Sequence, residues 1–226
     1  MEGFQDMIDN IRSDVNKCLE RIPIPDSPKY LYDPIRYSLR SGGKRFRPVL
    51  THLSGRANNI DSDVLMTLSL AVELLHNFTL VHDDIMDNDA IRHGKKTIHE
   101  EWDSSTAILA GDGIYTIAQI ILSKISNNAS IVSKYFNQTT LEICEGQALD
   151  KEFENDQTIT EKMYFDMIDK KTGSLLGASS ALPIVYNNGD NELINIYEQF
   201  GRHLGRGFQI HDDLLEITAD SKVMGK

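Results

Sequence analysis

The sequence predicts an all-α fold, on three observations. Five of the six prolines fall between Pro23 and Pro48 and only Pro183 follows, so the chain from Val49 to Leu182 has no proline to interrupt long helices. Apolar residues recur at helical spacing through most of that stretch. Strand-like alternation with hairpin signals is absent.

The elements follow in order. Met66–Ile85 carries Leu68, Ala71, Val72, Leu75, Phe78 and Val81 near a helical period, and Asp61 ahead of it has an N-capping side chain. Trp102–Ile125, Ile131–Phe153, Glu161–Leu182 and Leu193–Ile217 read the same way, with Thr160 as a cap before Glu161. Asn127-Asn128, the polar Glu154–Gln157 stretch and Asn187–Asn191 separate them. No linker or charge block divides the 226 residues, so residues 1–226 are expected to form a single domain.

Thirty-four acidic against twenty-three basic residues give a formal charge of −11, which disfavours a general nucleic-acid binder or a polybasic membrane anchor. Cys18 and Cys144 are far apart and form no Cys-x-x-Cys pattern, which fits a reducing compartment. Met1–Ile11 lacks a basic flank and an unbroken apolar run, and no stretch approaches membrane-spanning length. These features together lead us to expect a soluble cytoplasmic protein with no membrane span.

Two acidic clusters of similar form stand far apart: Asp83-Asp84-Ile85-Met86-Asp87 and Asp212-Asp213-Leu214-Leu215-Glu216. On helices, Asp83 and Asp87 share a face, as do Asp212 or Asp213 with Glu216. A short run of acids is ordinarily a solvated helix face. Acids embedded among Leu80, Val81, Ile85 and Met86, however, must be aimed at solvent, a cation or a cleft. Carboxylates suit Mg²⁺, which completes its octahedron with waters and substrate phosphates. The pair of clusters therefore points to magnesium–diphosphate chemistry.

Basic segments flank the first cluster. Ser41-Gly42-Gly43-Lys44-Arg45-Phe46-Arg47-Pro48 joins two glycines to three cations, a combination that lets a backbone approach an anion and supplies charge to it. It is not a P-loop, because the Gly-Lys-Ser/Thr ending is missing. Arg92-His93-Gly94-Lys95-Lys96 reads alone as an ordinary basic loop, and His76, seven residues before Asp83, lies nearly on its face.

In this order, Gly42–Pro48, His76, Leu80–Asp87, Arg92-His93-Gly94, Gly146-Gln147-Ala148-Leu149-Asp150, Lys171-Thr172-Gly173 and Phe208–Asp213 strongly resemble the trans-isoprenyl diphosphate synthases, also called polyprenyl synthetases. The resemblance runs from about residue 29 to the end. It implies the isoprenoid synthase fold of long antiparallel helices around a central cavity, usually as a homodimer. It also implies head-to-tail condensation of an allylic diphosphate with isopentenyl diphosphate, assisted by three Mg²⁺ ions, with released diphosphate taking the final proton. Asp83 and Asp87 would hold two ions and Asp212 a third, with Asp84 and Asp213 in support. Arg92, Lys171 and Lys226 would neutralise the allylic diphosphate; Gly43, Lys44, Arg47 and His76 would hold isopentenyl diphosphate. Lys171, Thr172 and Gln209 would face the carbocation as dipoles, and Gln147 and Asp150 would bind metal-linked water or buttress their helix.

Three departures from the family pattern stand out. His93 replaces a second arginine and cannot make a guanidinium's fork, which implies weaker or pH-dependent isopentenyl diphosphate binding. Glu216 replaces an aspartate. Relatives continue through further helices after the second cluster, so the resemblance implies a chain truncated at its C-terminus. Bulky Phe78 beside small Thr79, five and four positions before Asp83, implies a product near twenty carbons, geranylgeranyl diphosphate, with farnesyl diphosphate next. A non-catalytic subunit of a heteromeric synthase is a further alternative, although such subunits usually lose one acidic motif. A terpene cyclase would have no need of the Gly43–Arg47 site.

Overall fold

The computed structural model describes residues 3–218. Its helices are α1 (Phe4–Glu20), α2 (Lys29–Leu39), α3 (Phe46–Ala57), α4 (Ser62–Asp87), α5 (Ile98–Glu101), α6 (Ser104–Leu122), α7 (Ala129–Phe153), α8 (Glu161–Ile168), α9 (Ser174–Tyr186) and α10 (Asn191–Thr218). Between α8 and α9 the chain stays helical but widens into a π-turn, Asp169–Gly173. The all-α expectation holds. Asp61 and Thr160 both cap as expected: the Asp61 carboxylate accepts from the Asp63 amide, and the Thr160 hydroxyl from that of Met163.

The departures have physical causes. Helix α2 and the start of α3 occupy the proline-bearing stretch Pro23–Pro48, and α1 precedes it. Pro48 is the third residue of α3, where its missing N–H has no intrahelical partner to lose. Pro183 lies inside α9, which runs three residues beyond it to Tyr186 with Ile184 and Val185 buried. The helix expected from Trp102 begins two residues later, at Ser104: α5 ends at Glu101, Trp102 packs edge-on against Tyr37 at 5.2 Å, and the Asp103 carboxylate starts α6 by accepting from the Thr106 amide at 2.7 Å.

A hairpin is also present where none was expected. Strands β1 (Ile91–Arg92) and β2 (Lys95–Lys96) pair antiparallel, Ile91 with Lys96 and Arg92 with Lys95. The turn residues His93 and Gly94 have φ of 51° and 74°, the left-handed pair that matches the twist of a two-residue hairpin. Two-residue strands are too short to show alternation.

Helix α9 is the centre of the fold, buried at every position except Tyr186. Helices α3, α7 and α10 pack around it, and α4 packs against α3 and α6. By length and composition α4 and α6 are apolar enough to cross a membrane, contrary to the expectation that no stretch approaches that size. In this fold they pack against each other and supply Leu68, Val72, Leu75, Ala110, Ile114 and Ala118 to the core.

One core residue carries a pH prediction. His52 on α3 is 3% exposed, and neither ring nitrogen has a hydrogen-bond partner among the described residues. Burial first, then Arg56, pushes its imidazole down to about 4, against opposition from Asp14. The unfolded chain therefore binds a proton at His52 between pH 6.5 and 4 that the folded chain refuses, so stability falls as pH falls through that window. The slope is about 1.4 kcal/mol per pH unit for this group. Urea unfolding at pH 7.5 and 5 should show the loss, and His52→Leu should flatten it.

Candidate active site

A cavity of about 660 Å³ opens between α3, α4, α7, the π-turn and α10. Helix α4 supplies His76, Thr79, Leu80 and Asp83 to its wall, the i, i+3, i+4, i+7 positions of one face. Asp212 reaches the same cavity from α10, with Phe208 and Gln209. The two acidic clusters, 129 positions apart by residue number, thus meet at one space.

The acids within each cluster divide by position. Asp83 borders the cavity, and burial raises its carboxyl to about 6, with Asp87 and Asp84 adding to the rise and Lys171 and Arg92 opposing it. Asp84, one residue on, points away from the cavity wall: it is buried and accepts from Arg92 Nε. Asp87 lies at the exposed end of α4, its Oδ1 2.7 Å from Lys151 Nζ. In the second cluster Asp213 does not line the cavity. It accepts from the Tyr164 hydroxyl and from Gln209 Nε2, the latter at 2.8 Å. The Gln209 Oε1 accepts from Thr172 Oγ1 at 2.8 Å, so a hydrogen-bonded row runs from the π-turn to the α10 carboxylate.

The π-turn puts Lys171 and Thr172 on the wall. Such turns are uncommon inside helices and are frequent at functional sites. This one is wedged between glycines. A Cβ at Gly146 would stand 2.2 Å from the Lys171 backbone nitrogen, and one at Gly205 would stand 2.7 Å from Gly173 Cα. No side chain fits either crossing. Lys171 Nζ is held by Asp150 at 2.6 Å. Gln147, one turn before Asp150, borders the cavity with both amide atoms buried and unpartnered among the described residues.

The loop before α3 forms the opposite rim with Gly43 and Lys44, and Arg92 and His93 border it from the hairpin. Gly42 and Gly43 have φ of 87° and 136°, which bulkier residues rarely adopt. Arg45 turns inward instead: its Nη1 meets Glu73 at 2.5 Å and its Nε meets Asn16 at 2.8 Å. Arg47 Nη1 lies 3.1 Å from His76 Nε2. Burial and the neighbouring Arg47 hold the His76 imidazole well below its ordinary value, so it is neutral and its Nε2 is the acceptor in this pair. His93 is also lowered, by burial and then by Arg92, and contributes little charge near neutral pH.

The cavity therefore gathers Gly43, Lys44, Arg47, His76, Thr79 and Asp83 with Arg92, His93, Lys171, Thr172, Gln209 and Asp212. Phe78 is not on its wall. Its ring packs 5.2 Å from Tyr115 and 4.7 Å from His82, on the α6 side of α4. Lys226 lies outside the described residues, as does any structural account of the chain end. Sequence reasoning did not find Glu73, Tyr164 or Lys151. Glu73 had a signal, an acid inside the apolar run Ala71–Leu75, while Tyr164 meets Asp213 across 49 residues and had none.

The donor set fits a hard divalent cation. Asp83 and Asp87 are carboxylates one helical turn apart, and the raised Asp83 carboxyl is a group whose ionised form a cation would stabilise. Among the described residues no three His, Cys, Asp or Glu side chains form a ready-made metal cage. Magnesium does not require one, because waters and substrate phosphates complete its shell.

A family model described as polyprenyl synthetase matches residues 28–226. The geranylgeranyl diphosphate synthase of Methanosarcina mazei is 40% identical over 224 residues, covering 98% of this chain and 69% of that protein. The geranylgeranyl pyrophosphate synthase of Geoglobus acetivorans is 43% identical, covering 92% of this chain and 66% of its own length. Among solved structures, geranylgeranyl pyrophosphate synthetase from Pyrococcus horikoshii superposes with a TM-score of 0.89 at 36% identity, over 99% of this chain and 70% of that one. The chain spans about two thirds of the length of these relatives.

Proposed function

The chain belongs to the polyprenyl synthetase family, and from that premise we propose that it is a magnesium-dependent prenyltransferase condensing isopentenyl diphosphate with an allylic diphosphate to give geranylgeranyl diphosphate. The observation that carries the reading is the single cavity into which two acidic clusters and two separate cationic groups converge.

Lys171 and Arg92 neutralise the allylic diphosphate beside Asp83 and Asp212. Gly43, Lys44 and Arg47 take isopentenyl diphosphate at the other rim, with neutral His76 fixing the Arg47 fork. Three bound Mg²⁺ ions, on Asp83, Asp87 and Asp212, would stabilise the charge that develops on departing diphosphate. Asp84 and Asp213 act one layer back, holding Arg92 and Gln209. The Thr172 and Gln209 oxygens present dipoles toward the carbon that becomes cationic. The Thr172 to Gln209 to Asp213 row orients them before the reaction, so no reorganisation is needed as charge appears.

The product assignment draws on the relatives' names and on Phe78. Farnesyl diphosphate synthesis is the nearest alternative, and a non-catalytic subunit is the reading the assay below excludes or adopts. We also read the enzyme as a cytoplasmic homodimer. Exposed Ile108, Leu109 and Ile120 on α6 with Ile131 and Leu141 on α7 support the dimer, and two free cysteines suit a reducing compartment.

The test is a magnesium-dependent assay with isopentenyl and farnesyl diphosphates, products read by chromatography. A twenty-carbon product is expected. None from folded protein would overturn the catalytic reading in favour of a subunit role. In the same assay Phe78→Ala should shift products to longer chains, because it opens the packing against Tyr115; an unchanged distribution would return Phe78 to ordinary core.

A further inference from the structure

Resting on the reading of Asp83 and Asp87 as a divalent-cation claw, we propose that Lys151 is the claw's built-in counter-cation, which must yield Asp87 to the metal and so sets the metal concentration at which the site loads.

Lys151 stands on α7, beside Asp150. Its ammonium meets three oxygens: Asp87 Oδ1 at 2.7 Å, the Met86 carbonyl at 2.9 Å and Glu154 Oε1 at 2.6 Å. Three acceptors use all three of its protons. Two of them belong to the last turn of α4, where the metal-binding carboxylate is. The third is on the C-cap residue of Lys151's own helix, three positions on. That asymmetry makes the pair separable: when a doubly charged ion takes Asp87, the ammonium is repelled from it yet keeps Glu154, and no charge is stranded. The adjacent Asp150 holds Lys171, which lines the cavity, so two neighbouring α7 residues of opposite sign pair with α4 and with the π-turn.

A purely structural role is the competing account. A lysine on the Met86 carbonyl would complement the negative end of the α4 dipole and cap the helix. That role would affect melting and leave metal affinity alone. The counter-cation role has the opposite signature on affinity. Removing a single positive charge within a few ångströms of a half-exposed carboxylate should strengthen divalent-ion binding by about tenfold.

The experiment measures Mn²⁺ binding to the full chain in the presence of inorganic diphosphate, by calorimetry and by the spin resonance of free Mn²⁺. Wild type is compared with Lys151→Met, Lys151→Gln and Asp87→Asn. The methionine variant should bind Mn²⁺ about tenfold more tightly at equal or lower melting temperature. The glutamine variant, which keeps a hydrogen-bond donor for the Met86 carbonyl, should bind as tightly as the methionine one and covers the case in which that variant does not fold. Unchanged or weaker Mn²⁺ binding in a folded Lys151 variant would overturn the proposal while leaving the claw intact. If Asp87→Asn binds Mn²⁺ as wild type does, or wild type binds none, the claw reading itself falls and the counter-cation role with it.

Discussion

Asp83→Ala should lower turnover by about 10²- to 10³-fold or more without weakening the fold, the magnitude expected when one group aimed at developing charge is removed. The two halves of this expectation have one cause. Asp83 is partly buried, its carboxyl is raised to about 6 by that burial, and no salt bridge among the described residues compensates it directly. A carboxylate held in such a place costs the folded state energy, so its removal should leave the unfolding midpoint equal or higher. Catalysis loses a ligand at the point where diphosphate departs. Asp212→Ala should cost a comparable factor from the opposite wall, with little effect on stability because Asp212 is exposed. Single-turnover rates with saturating magnesium, read beside urea unfolding, make the check; near-normal rates in either variant would remove that residue from the metal assignment.

Glu73→Leu should have the largest effect on stability. Glu73 and Arg45 form an ion pair with side chains only 4% and 5% exposed, and Arg45 Nη1 has its contact there at 2.5 Å. Removing one partner of a buried pair strands the other, at a cost of about 3–5 kcal/mol. Asn16 still accepts from Arg45 Nε, but a neutral amide cannot balance the charge. The double variant Glu73→Leu with Arg45→Met should recover most of the loss, since an apolar pair of similar volume serves such a site as well. Arg45 also has a left-handed backbone at φ 49°, at the junction of the Gly42-Gly43 rim and α3. The single variant should therefore raise the Michaelis constant for isopentenyl diphosphate along with its loss of stability. A cost below about 1 kcal/mol would mean the pair is not buried in solution, by the measure of exposed ion pairs.

The long helices were legible because periodicity, breaks and caps are local: Asp61 and Thr160 act on amides two or three residues away. The two acidic clusters and the Gly42–Pro48 rim were legible for a related reason, since each is a short segment whose composition has few uses other than holding cations and anions. Helices α2 and α3 were not legible, because the signal read there was proline itself, and proline is tolerated where tertiary packing or a first turn absorbs its missing donor; α1, ahead of the prolines, buries Ile11, Val15 and Leu19 at helical spacing, a weaker signal in a short polar segment. The hairpin escaped notice because its strands are shorter than any alternation.

By itself, then, the sequence determined the helical class, the two acidic clusters and the order of the motifs that mark the family. The tertiary structure alone decided which member of each cluster faces the cavity and which serves another residue. Asp83 and Asp84 are neighbours, yet one borders the cavity and the other holds Arg92; Asp212 and Asp213 divide in the same way between cavity and Tyr164. It also decided that Lys171 and Thr172 ride on a π-turn between Gly146 and Gly205, and that Lys151 sits on Asp87. These crossings join residues 25 to 64 positions apart in number, and their partners are chosen by how helices cross, which no local pattern of side chains encodes.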